Sequence, residues 1–126
     1  MKVYFISGLA ADRRVFNNIR LPEGFQMVHL DWIKQHKDET LQSYAYRLAE
    51  NIDRSEKFAL VGLSMGGMIA SEIANLYKPA VTILISSVST CRQFPRRFKL
   101  AYHLKLYKIL PVQLFKSASV IKRLFA

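Results

Sequence analysis

The sequence predicts an α/β fold, a parallel sheet of about four strands with helices on both faces. Three observations carry that expectation. Four short runs, residues 2–7, 25–33, 58–63 and 80–88, are rich in β-branched and aromatic residues. Most are continuously apolar instead of alternating, as strands buried on both faces are. The segments between them place apolar residues at helical spacing. Strands that alternate in this way with helices of about 10–15 residues pair in parallel through right-handed crossovers.

The first strand, "KVYFIS", ends at Gly8. Asp12 then serves as the cap of a short helix, "RRVFNNI", with Val15, Phe16 and Ile19 on one face. Pro22 and Gly24 stop it. The second strand is expected over 25–33, "FQMVHLDWI", and after the polar stretch "KQHKDET" a helix begins at Thr40 as its cap. Leu41, Tyr44, Ala45, Leu48 and Ile52 form the apolar stripe of that helix. The third strand is "FALVGL", the third helix runs from Met65 to Tyr77 and is closed by Lys78-Pro79, and the fourth strand is "AVTILISSV". In the chain's own count the expected strand order is 2-1-3-4.

Residues 1–90 read as this α/β core and residues 91–126 as a basic helical tail broken at Pro111. The tail holds nine Lys and Arg and no acid, so it carries nearly all of the formal charge of +10. Leu114, Ala118, Ile121 and Phe125 mark one apolar face in it. The composition, 51% apolar and 22% charged, is that of a globular domain. The single cysteine, Cys91, supports neither a disulfide framework nor a zinc module, and a reducing, cytoplasmic location is expected. The apolar start is shorter than the roughly 15–30 residues of a signal peptide. No run approaches the roughly 20 residues of a membrane span.

Chemistry enters at "KFALVGLSMGGMIASEIA". Gly62-Leu63-Ser64-Met65-Gly66 matches G-x-S-x-G, in which a serine occupies a tight strand-to-helix turn that leaves no room for neighbouring side chains. Such a match arises by chance at on the order of a few percent in a chain of this length, so context decides its meaning. Here the turn joins a buried strand to a helix whose nearest residues, Gly66, Gly67, Ala70, Ser71 and Ala74, are small enough for close packing on a sheet. A turn using Gly and Ser for conformation alone, or one that holds an anion on its N–H groups, is the plainer reading.

On these residues the chain resembles the α/β-hydrolase superfamily over nearly its whole length. "GLSMGG" is similar to the nucleophile elbow, and "FISGLAADRRVF" to the loop after the first central strand, where Ser7 stands in place of the His of a common His-Gly pair. The resemblance implies that Ser64 is the nucleophile, that the backbone N–H groups of Leu9 and Met65 form the oxyanion hole, and that Gly62 and Gly66 are the elbow glycines. It implies hydrolysis of a small-molecule ester or thioester through an acyl-serine, with no metal and no organic cofactor. It also makes the basic tail the start of a cap or lid.

The superfamily orders its triad Ser, then Asp or Glu, then His. After Ser64 the only acid is Glu72 and the only histidine His103. Glu72 lies about 12 Å along the elbow helix and reads as a solvated helix residue, and His103 reads as a packing residue of the tail. His29 and Asp31, two apart on the second strand, share a face and read as packing and a strand-end polar contact. Asp12, Arg13 and Arg14 read as a helix start. The chain is therefore expected to be the N-terminal half of such a hydrolase, cut within the cap region, weakly active or inactive, and prone to self-association through the fourth strand's open edge. The alternative is a non-catalytic hydrolase-like protein whose basic tail binds an anionic partner or membrane surface; nucleic acid is not the expected partner. A dinucleotide-binding domain would need G-x-G-x-x-G where "SGLAAD" has one glycine.

Overall fold

A computed structural model of the chain describes residues 1–89. Its strands are β1 (Lys2–Ile6), β2 (Gln26–His29), β3 (Phe58–Leu63) and β4 (Val81–Ile85), and its helices are α1 (Leu41–Leu48) and α2 (Met65–Tyr77). Short 3-10 turns cover Arg13–Phe16 and Ala49–Asn51. All strand pairs are parallel, and the order is β2-β1-β3-β4, as the sequence predicts.

Alternation along the two central strands divides the core into two layers. Tyr4, Ile6 and Leu60 face α1 and α2 and pack with Tyr44, Leu48, Ile69 and Ile73. Val3, Phe5, Ala59 and Val61 face the other way and pack around Phe16 of the first 3-10 turn. Helical segments therefore lie on both faces, with the two longer ones together. That division follows from strand order: the chain moves one way from β1 to β2 and the other way from β2 to β3 and β3 to β4, so right-handed connections fall on opposite faces.

Local chemistry sets the boundaries. Asp12 caps the first turn by accepting from the Arg14 N–H at 2.9 Å, yet the turn closes after four residues as 3-10 and does not become an α-helix. Thr40 caps α1 through a reciprocal capping box with Ser43. The ladder of β2 stops at His29, short of the expected 33, because Trp32 and Ile33 turn to pack against the α1 layer and Ile33 exchanges backbone hydrogen bonds with the Tyr44 hydroxyl at 2.9 and 3.0 Å. β4 ends at Ile85 instead of 88 because Ser86 has φ 48°, a conformation no strand can continue through. Phe58–Leu63 and Met65–Tyr77 match the expected limits. Among the described residues no helix is long and apolar enough to cross a membrane. The expected helical cap of 91–126, with His103, lies outside the described residues.

Candidate active site

The C-terminal ends of all four strands open on one side of the sheet, and β1 and β3 are the pair at which the chain reverses its direction of travel. Loops leaving such a pair diverge to opposite faces and leave a crevice between them, which is where ligands bind in open α/β sheets. Gly8 leaves β1 there and Ser64 leaves β3.

Ser64 links Leu63, the last residue of β3, to Met65, the first of α2, with φ 53° and ψ −119°. That combination lies outside the left-handed helical region, so a residue with a Cβ is held there only by its surroundings. Those surroundings are specific. The Ser64 N–H donates to Ile85 O at 2.8 Å, and the Ser64 carbonyl accepts from Gly67 N at 2.9 Å and from the Ser87 hydroxyl at 2.5 Å. The glycines allow the approach: a Cβ on Gly62 would lie within 3.0 Å of the Gly66 and Gly67 backbone, and one on Gly66 within 3.0 Å of the Ile6 and Ser7 carbonyl oxygens. Gly67 has the same property toward Ser87.

The loop after β1 lies alongside. A Cβ on Gly8 would sit 3.3 Å from both Leu63 O and Ser64 Cβ. Gly8 to Ala11 form a turn closed by Ala11 N donating to Gly8 O at 3.1 Å, with Ala10 at φ 59°. A positive φ at the third residue is the signature of a type II turn. Leu9, at its second position, is 68% exposed. The turn is anchored from below by Ser7, which is buried; its hydroxyl donates to Ala11 O at 2.9 Å and accepts from Trp32 Nε1 at 3.0 Å. Trp32 packs on Tyr44, whose hydroxyl holds Ile33. Sequence reading missed this Trp32–Ser7 link. The one available signal is the only tryptophan in the chain, whose partly buried indole N–H takes an acceptor.

The other candidates are placed elsewhere. In the ladder His29 stands level with Phe5, which stands level with Val61, so His29 is two strand spacings, about 10 Å, across the sheet from β3 and three residues short of Ser64 in register. Its ring stacks on Phe16 at 6.1 Å. Asp31 pairs with Arg13. Asp12 takes both the backbone and the guanidinium of Arg14, which hold its carboxyl down at about 2. Glu72 is the eighth residue of α2, about two turns from its start. Among the described residues no histidine or carboxylate is hydrogen-bonded to Ser64, and no group of three or more His, Cys, Asp or Glu is placed to hold a metal. A shallow cleft of about 450 Å³ lies against Ala10, Ala11, Asp12, Arg14 and Val15.

The arrangement thus presents a serine on a constrained turn, with the first N–H groups of α2 on one side and a pinned backbone turn on the other. Helix-start N–H groups have no intrahelical acceptor and favour negative charge. No family model, curated protein or solved structure matches this chain.

Proposed function

We propose that this chain carries the nucleophile elbow of an α/β-hydrolase-type serine hydrolase acting on an ester or thioester. The observation that supports it is the backbone of Ser64, φ 53° and ψ −119°, at the strand-to-helix turn beside the Gly8 loop. A turn used only to reverse the chain has no need of a serine in that conformation. In this reading Ser64 Oγ attacks the substrate carbonyl carbon. The negative charge that develops on the carbonyl oxygen is taken up by the N–H groups of Met65 and Leu9, the tetrahedral intermediate expels the alcohol or thiol, and water hydrolyses the acyl-serine.

The attacking hydroxyl needs a base, and among the described residues none reaches it. Without such a base we expect little turnover, with Ser64 nonetheless the most reactive serine, because N–H donors at Met65 and Leu9 stabilise the negative charge that develops on the group it attacks. A fluorophosphonate should label the chain at Ser64 ahead of its other serines, and Ser64→Ala should abolish that adduct. Labelling spread evenly over several serines would sink the proposal. A cytoplasmic setting is part of the reading. The alternative, an anion-binding role of the basic tail, rests on residues outside those described.

A further inference from the structure

The Ser64 carbonyl and the Met65 N–H belong to one peptide unit, which is planar and trans, so the two point in opposite directions from the same plate. Anything that fixes the carbonyl fixes the N–H. Ser87 reaches that carbonyl with its hydroxyl at 2.5 Å from the loop after β4, and Ser86, at φ 48°, is the residue that turns the chain back so that it can. Ser87 also occupies the space that the missing side chain of Gly67 leaves on the first turn of α2. The contact links residues 23 apart in sequence. Gly67 N, the other donor to the same oxygen, belongs to α2 itself and moves with it, whereas Ser87 ties the plate to the sheet.

We propose that Ser87 is the positioning residue of the elbow: by holding the Ser64 carbonyl it aims the Met65 N–H into the crevice as an oxyanion donor. This rests on the reading of Ser64 as a nucleophile, but the orientation of the peptide can be measured without it. Ser87 touches no reacting atom. Without its hydroxyl the plate is held from the α2 side only and rocks about the Ser64 ψ and Met65 φ bonds. Loss of a whole oxyanion donor costs roughly 10²–10³-fold in rate, so misaiming one should cost about tenfold.

The test compares the full chain with Ser87→Ala, Ser87→Thr and Ser87→Cys, using a fluorophosphonate and backbone NMR of the same samples. Ser87→Ala should slow Ser64 labelling about tenfold, move the Ser64 carbonyl-carbon resonance and speed hydrogen exchange at Met65. Ser87→Thr, which keeps the hydroxyl, should restore all three. If Ser87→Ala does not fold, Ser87→Cys, with similar shape and a weaker donor, takes its place. Unchanged labelling together with an unchanged Ser64 carbonyl and Met65 amide overturns the proposal, as does a Thr variant that behaves like Ala. If the parent chain does not label at Ser64, the hydrolase reading fails, and the two NMR observables still decide whether Ser87 orients the peptide.

Discussion

Among the described residues five other than glycine have positive φ: Ala10, Asp38, Ser64, Lys78 and Ser86. Lys78 is the ordinary case, a left-handed cap at φ 46° and ψ 66° that ends α2 before Pro79. A side chain there costs about 1–2 kcal/mol, while glycine brings a smaller entropic penalty, so Lys78→Gly should stabilise the chain by about 0.5–1 kcal/mol in urea titration. Ser64 sits in a less populated region, and Ser64→Gly should stabilise by at least as much, while Ser64→Ala should not. Equal midpoints for the Gly and Ala variants would mean that the turn places no strain on Ser64. Glu39 is the second residue-scale test. Its side chain is only 5% exposed; Arg47 donates to it at 2.7 and 3.0 Å and the His36 N–H at 2.9 Å, and together they hold its carboxyl down at about 2 from 4.5. A depressed carboxylate contributes stability that is present above its unfolded value and lost as pH falls toward its folded one. Glu39→Gln should therefore be less stable than the parent at pH 7, with the gap narrowing between about pH 4.5 and 2. A gap constant across that range would show that the charge of Glu39 is not what matters.

At the scale of elements, β3, the turn and α2 form one unit whose spacing is set by Gly62 and Gly66. Gly62→Ala and Gly66→Ala each force a methyl onto backbone atoms that cannot rotate away, and each should cost about 1–3 kcal/mol, visible as a lowered urea midpoint. Wild-type midpoints would mean that α2 approaches the sheet less closely than described. This unit was the most legible part of the sequence, because its limits are written locally: a continuous apolar run, two glycines around a serine, then Lys-Pro. Elsewhere the pattern named the element and missed its end. The apolar run through Leu30, Trp32 and Ile33 continues past the ladder of β2, since these side chains serve the α1 layer after the strand has ended. Asp12 has the sequence signature of a cap and acts as one, but hydrophobic spacing at Val15, Phe16 and Ile19 does not distinguish a 3-10 turn from an α-helix. The links from Trp32 to Ser7 and from Ser87 to Ser64 span 25 and 23 residues, and no local period encodes them. The strand-to-helix turn is thus legible, and what holds it is not.

For the whole molecule, the sheet's two outer strands differ in what they expose. β2 begins at Gln26 and is short. β4, "VTILI", has no charge and no proline, the usual guards against edge pairing, and Val81 and Ile83 on one face of it are 47% and 49% exposed. Among the described residues no strand pairs with the outer edge of β4, and an apolar outer strand of this kind is a template for a second copy, since pairing satisfies its backbone groups and covers the two side chains together. The chain should accordingly show concentration-dependent association by sedimentation velocity in the μM–mM range. Ile83→Lys places a charge that must be desolvated in any such contact, and it should shift the distribution toward monomer without lowering the urea midpoint, because the side chain is half in water already. Gln26→Lys adds the same charge at the opposite edge and should leave association unchanged. A parent chain that stays monomeric throughout would refute the association, and two variants that act alike would show that net charge and not the β4 strand governs it.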